Sequence, residues 1–407
     1  MRDGHSPLLV QKYGVSVRDF RGIVAVCRRI KRSVEAGQRI VAVISSLGQD
    51  TDDLAELAFR IKGGMARPAA RELDMLMASG EATTAPLVAI GLQGMGVWAM
   101  ALSGLQAGIE TDTAYGSAEV VRVRPLRVRR ALEAGAVPVV AGFQGATEDL
   151  DVTTLGRGGG DVTAVRLAAD LGADQCEIYV SYQGIRTADP HIVPDSRVLS
   201  YITYEEALEL SATGLHMWQP RAVELARQFR VPVHLRPIGR LDGGTRIVDE
   251  VPKELQRTVR AIAQQDGIGQ VRVAGVPRRP GASADILEPL GTSGISASVI
   301  SHTPPYGLSF IVRESELDQA LRAVEPAARA VGARATAVAD VVEVSAVGTG
   351  MRAGPGVAAR MFRSLADEGI NIETIASSDI RITCIIRRQH QAQAVRALHA
   401  AFGLSRP

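Results

Sequence analysis

Apolar residues fall in short runs separated by polar, glycine-rich breaks. Residues 8–11 form a mainly apolar run that meets Lys12-Tyr13-Gly14, which predicts a strand leading into a turn. Residues 17–30 have helical spacing, with Phe20, Val24, Cys27 and Ile30 able to share one face. Residues 40–44 predict a buried strand. Ser45-Ser46-Leu47-Gly48 breaks it, and Thr51-Asp52-Asp53 opens a helix with capping chemistry. Residues 83–102 predict another apolar helix. Further strands are expected at 137–141, 176–180 and 231–235, and further helices at 161–171, 200–213 and 220–229. This alternation indicates an α/β domain with a largely parallel sheet.

The pattern changes after Ile247, where residues 249–256 are polar and connective. Two similar segments follow. Residues 270–276 lead into Pro277-Arg278-Arg279-Pro280-Gly281, and residues 341–347 lead into Met351-Arg352-Ala353-Gly354-Pro355-Gly356. Each reads as strand, Pro-Gly turn, helix, strand. Two copies make a tandem module and not a solenoid.

Composition narrows the function classes. With 46 basic and 44 acidic residues the formal charge is +2, which argues against a nucleic-acid binder. Cys27, Cys176 and Cys384 are far apart and form no CxxC pair, so neither a disulfide scaffold nor a thiolate metal site is expected. No metal site is assigned. The first residues lack a secretory pattern, and no run of about 20 apolar residues is expected, so the reading is a cytoplasmic chain with no membrane partner.

The motifs carry more. Val10-Gln11-Lys12-Tyr13-Gly14, Pro68–Leu76, Gly80-Glu81, Val140–Gly145, Asp151–Gly159, Thr187-Ala188-Asp189-Pro190 and Gly369–Ile375, in this order, resemble the aspartokinase family over essentially the whole length. The resemblance implies an amino-acid-kinase-like parallel-sheet domain at 1–247, a linker at 248–256, and two intertwined ACT domains of ferredoxin-like α+β fold at 257–407. Their repeat units are expected at about 270–335 and 341–403. It also implies transfer of the ATP γ-phosphoryl group to the aspartate β-carboxylate, which is largely positioning and charge neutralisation. On that resemblance Lys12, Asp161 and His216 are the catalytic candidates. Ser45, Glu81 and Arg157 are the substrate-binding candidates. Arg157 stands between glycines, where a guanidinium can grip a carboxylate through two parallel hydrogen bonds.

The nucleotide side departs from the family at four places. The family's Lys-(Phe/Tyr)-Gly-Gly-(Thr/Ser)-Ser-Val is one residue shorter here, Lys12-Tyr13-Gly14-Val15-Ser16-Val17. Gly160-Asp161-Val162 replaces Ser-Asp-Thr. Two aspartates and a tyrosine are replaced in Ser181-Tyr182-Gln183-Gly184-Ile185-Arg186. The family's Gly-Ala-Lys-Val-Leu-His-Pro becomes Gly214-Leu215-His216-Met217-Trp218-Gln219-Pro220, with His216 at the lysine. Gly14, Ser16, Ser181, Arg186 and Asp189 are the remaining nucleotide-side candidates. In the first ACT segment Arg278, Arg279, Ser298 and His302 stand where the family has acidic or amide groups, so weak lysine or threonine feedback is expected. The main reading is an ATP-independent reaction on an aspartate-like or other carboxylate substrate. A working aspartokinase using Mg-ATP and a non-catalytic amino-acid-binding homologue are the alternatives. Expected partners are a small carboxylate or amino acid, a second copy through the ACT domains, and another enzyme of the same pathway.

Overall fold

The computed structural model describes residues 6–14, 19–48, 50–61, 68–212, 218–240, 242–303, 307–352 and 354–405. Ser16 and His216 lie outside the described residues. The chain forms two compact units. The first comprises Met1–Ile185, Val198–Tyr204 and Trp218–Val251; the second comprises Arg186–Arg197, Glu205–Met217 and Pro252–Pro407.

The first unit is built on an eight-stranded sheet. Its order is Tyr201–Thr203, Thr245–Val248, Val233–Pro237, Gln175–Val180, Leu8–Tyr13, Arg39–Ile44, Val137–Ala141, Ala99–Leu102. Every neighbouring pair is parallel except Val233–Pro237 with Thr245–Val248. The central strands are buried along nearly their whole length, as expected of a parallel sheet covered on both faces. Helices Phe20–Glu35 and Ala70–Gly94 cover one face, joining Ile23, Val26, Ile30, Val88 and Leu92 to strand residues Leu9, Ile40 and Ile44 in one apolar core. A smaller sheet pairs Val120–Val123, Ile109–Thr111, Gln144–Ala146 and Val152–Thr154.

The structure corrects several sequence expectations. The stretch 83–102 is not one helix: the helix runs Ala70–Gly94, and after the turn at Gly96 the chain continues as the edge strand Ala99–Leu102. That helix has 25 residues and is long and apolar enough to cross a membrane by length and composition alone, although Arg71, Glu72, Asp74 and Glu81 interrupt it. Its Ala85, Val88, Ala89 and Leu92 are spent on the core of this unit. Phe20 does not join the buried face of its helix. It is the first helical residue after the N-cap Asp19 and is 77% exposed, while Ile23, Val26, Cys27 and Ile30 are buried. The stretch 200–213 begins as the strand Tyr201–Thr203 before turning into the helix Tyr204–Ala212.

The second unit is one antiparallel sheet ordered Ser298–Thr303, Gly307–Arg313, Ala261–Ala274, Arg334–Val347, Arg381–Arg387, Thr374–Ser377. Its two central strands have 14 residues each and serve two cores. Val271 and Val273 pack with Ile286, Leu290, Phe310 and Val324. Ile262 packs with Val342, Val344, Met361 and Leu398. The register shifts between Gln265 and Gln270, where Gly267 takes φ 69° and Asp340 on the partner strand takes φ 59°. Each half therefore has the βαββαβ layout of a ferredoxin-like module. The second half is closed by residues 261–265, which precede the first half in sequence. Residues 186–197 also join this unit: Ala188 and Val193 lie in the second core, and Thr187 meets His399 Nε2 at 2.9 Å through its hydroxyl.

Candidate active site

The carboxyl ends of the central parallel strands converge on one cluster, the crevice where ligands of open α/β sheets bind. Successive side chains of a strand alternate between faces, so Gln11 and Tyr13 point one way and Lys12 the other. Lys12 is the one residue of Leu8–Tyr13 that is not fully buried. Its Nζ lies 2.8 Å from Asp161 Oδ1, with both side chains mostly shielded. Asp161 is held by the first turn of the buried helix Gly159–Leu171, where a carboxylate also suits the helix dipole.

Glycines crowd this pair. A Cβ on Gly14 would stand 2.7 Å from Lys12 Nζ and 3.5 Å from Ser45 Oγ. One on Gly160 would stand 3.2 Å from Lys12 Cε and 3.3 Å from Ser45 Oγ. Gly142, after the strand Val137–Ala141, packs against Gly160 itself. Lys12, Ser45, Gly14, Gly160 and Asp161 thus form one group with open backbone around an ammonium. Glu81 joins its rim: the buried carboxylate accepts the Ser46 N–H at 3.0 Å, tying the long helix to the end of the second strand.

Arg157 is exposed at the tip of a turn whose flanking Gly156 and Gly158 have φ 72° and 76°. Only glycine adopts such angles without strain, so two so close together throw the guanidinium clear of the sheet. The turn feeds directly into the N-terminus of the Gly159–Leu171 helix, whose dipole favours an anion.

The other candidates separate. Ser181 is exposed at the end of the strand Gln175–Val180. Arg186 and Asp189 belong to the segment grouped with the second unit. There Arg186 donates to Ser196, and Asp189 accepts the His191 N–H at 2.9 Å and the Gln264 amide at 3.1 Å.

Two residues near the site, Asp74 and Gln219, were missed by sequence reasoning. Asp74 is buried and accepts from Gly116 N, Thr154 N and Thr154 Oγ1 at 2.8–2.9 Å, anchoring the segment that leads to Arg157. An acid in an apolar helix was the available signal. The phenol of Tyr182 is held above its ordinary pKa by burial first and by the charge of the Asp161 carboxylate second. Gln219 donates from Nε2 to the carbonyl of Arg157.

A parallel sheet with a charged pair and a glycine cradle at its carboxyl edge, joined in the chain to ferredoxin-like modules, defines an amino-acid-kinase type of protein. The amino acid kinase family matches residues 7–237, and the ACT domain family matches residues 344–402. An aspartokinase of Thermus thermophilus is 40% identical over 406 residues, covering 98% of this chain and 99% of that protein. The solved aspartate kinase of Clostridium acetobutylicum is 21% identical, covers 98% of this chain and 100% of its own, and superposes with a TM-score of 0.81. Escherichia coli aspartokinase III, solved in complex with aspartate and ADP, is 21% identical, covers 97% and 100%, and has a TM-score of 0.76. The chain belongs to the aspartokinase family.

Proposed function

We propose that this protein is an aspartate kinase, transferring the γ-phosphoryl group of Mg-ATP to the β-carboxylate of aspartate. The observation that carries the reading is the 2.8 Å Lys12–Asp161 pair set among Gly14, Ser45 and Gly160 at the carboxyl edge of the sheet. The sequence departures near Gly14 and at 181–186 favour an ATP-independent reaction when taken alone. Identity of 40% to a named aspartokinase over nearly the whole chain supports the kinase alternative better, and nothing in the described site calls for different chemistry.

The pair suits a phosphate. Gly14 and Gly160 bring bare backbone against the Lys12 side chain, where a Cβ would meet Nζ at 2.7 Å and Cε at 3.2 Å. Among the described residues no group of three His, Cys, Asp or Glu side chains could hold a metal alone. Mg²⁺ would therefore arrive with the triphosphate, on whose oxygens it usually rides. Arg157 binds a substrate carboxylate, Glu81 receives the amino group, and Ser45 lies beside the transfer path. A β-carboxylate oxygen then attacks the γ-phosphorus, and its bond to the bridging oxygen breaks, releasing ADP. Lys12 neutralises charge spread over the transferring oxygens, and Asp161 keeps the ammonium aimed.

The test is aspartate-dependent ADP release, or aspartyl hydroxamate formation, with Mg-ATP. Turnover of about 1 per second or more is expected. Aspartate binding without turnover would favour the non-catalytic reading instead. Assembly as a homodimer through 257–407 and a cytoplasmic location are parts of the same proposal. A chain ending near Ile247 that stayed dimeric by light scattering would contradict the first.

A further inference from the structure

The turn that presents Arg157 is short of internal support. Its backbone bonds run from Gly159 N to Gly156 O and from Asp161 N to Gly158 O, both at 2.9 Å, and neither uses the carbonyl of Arg157. With glycine on each side at positive φ, that peptide unit is the freest link in the turn. Gln219 fills the gap. Its Nε2 donates to the Arg157 carbonyl, and its side chain lies flat on Gly158: a Cβ there would meet Gln219 Cγ at 2.7 Å, Cβ at 2.8 Å and Cδ at 2.9 Å.

The clamp has a firm base. Gln219 is also the N-cap residue of the helix Pro220–Phe229, and its carbonyl accepts from Ala222 N at 3.0 Å and Val223 N at 3.2 Å. Arg221, in the first turn of that helix, reaches the carbonyls of Leu155 at 3.5 Å and Ala118 at 3.2 Å. Residues 219 and 221 thus hold the strand leading into the turn and the tip of the turn from one rigid helix end.

We infer that Gln219 is a positioning residue: it fixes the Arg157 peptide so that the guanidinium is pre-aimed at the substrate carboxylate. This rests on the reading of Arg157 as the carboxylate-binding group. Pre-aiming lowers the ordering cost of binding and leaves the transfer step alone, so it belongs to KM for aspartate and not to kcat. The chemistry is directional. A carbonyl needs a donor, so glutamate at 219 repels it and methionine keeps only the packing, while histidine, the residue of the aspartokinase pattern here, offers a ring N–H.

The test measures aspartate affinity by calorimetry, steady-state kinetics, and hydrogen exchange of the 155–162 amides on the full-length protein. Gln219→Met should raise KM and Kd for aspartate about tenfold, the worth of one hydrogen bond. It should leave kcat and the KM for Mg-ATP near parental and speed exchange across the turn. Gln219→Glu should be worse, and Gln219→His should recover much of the loss. Arg157→Ala is the control for the underlying reading. If it leaves aspartate binding intact, that reading fails and the inference falls with it. If it weakens binding while Gln219→Met keeps parental affinity and exchange, only the positioning role is overturned.

Discussion

The two faces of the strand Leu8–Tyr13 carry polar groups of opposite design. On one face, among the described residues, Lys12 meets a single carboxylate, Asp161, at 2.8 Å, with glycines and a serine hydroxyl beside it. On the other, Gln11 and Tyr13 enter a closed network around Glu177. That carboxylate accepts Gln11 Nε2, Tyr179 OH and Arg236 Nη1 at 2.7–2.8 Å, with Gln175 Nε2 at 3.4 Å, and Tyr13 OH donates to Gln11 at 2.9 Å. The rings of Tyr13 and Tyr179 stack at 4.5 Å, with Arg29 over the latter at 4.8 Å. The register explains the network, since Gln11 pairs with Glu177, Tyr13 with Tyr179 and Arg236 with Tyr179 across neighbouring strands. A charge satisfied by four donors has little capacity left for a ligand. A charge with one partner and glycine beside it keeps that capacity, at some expense in stability.

Substitutions on the two faces should therefore fail differently. The largest effect is expected at Lys12→Met. Loss of the cation that meets the transferring group should reduce kcat by about a thousandfold or more, as read by coupled ADP release, while aspartate Kd moves little. Wild-type turnover in this variant would mean the open face is not the reactive one. Glu177→Ala should invert the pattern. Deleting the hub of the closed network should lower unfolding free energy by about 3–5 kcal/mol in urea titrations, with KM values close to parental in the protein that remains folded. A large KM change there would erase the distinction between the faces.

Arg157→Ala should act on binding, weakening aspartate by about 2–3 kcal/mol and leaving circular dichroism unchanged. Arg157→Lys should restore only part, because an ammonium lacks the planar fork.

A smaller, pH-dependent effect comes from His234, on the network side. Burial, followed by the nearby Arg246 charge, lowers its pKa from 6.5 to about 4. The folded state then refuses a proton that the unfolded state accepts. This contribution is whole above pH 6.5 and is lost as pH falls from 6.5 toward 4, at no more than about 1.4 kcal/mol per unit. Urea midpoints measured across that window should fall less steeply in His234→Gln. The smallest effect is expected of the thiols. Burial pushes Cys27 up to about 11 and Cys384 to about 12, and Cys176 also moves upward. Alkylation at about pH 8, followed by mass spectrometry, should label none of them until the protein unfolds.

Much of this was legible in local pattern. The central strands declare themselves as β-branched runs, and Arg157 and Asp161 stand out because glycines surround them. The edge elements were harder. The strand Ala99–Leu102 continues the apolar character of the helix before it, and its identity follows from pairing with Val137–Val140. The supporting residues were harder still. Gln219 reaches Arg157 across 62 positions, Asp74 reaches Thr154 across 80, and Gln11 reaches Glu177 across 166. Which residue pairs with which leaves no periodic signal, because a hydrogen bond depends on distance in space and not along the chain.

Residue order alone determined the parallel α/β layout, the doubled module after residue 257 and the residue types of the candidate site, since hydrophobic period, glycine and proline act within a few residues. Tertiary structure decided which polar group would be open and which closed. Lys12 and Gln11 are neighbours on one strand, and the pleat sends them to opposite faces. What each then meets, one aspartate amid glycines or a hub carboxylate with four donors, is set by strands and helices brought together from distant parts of the chain.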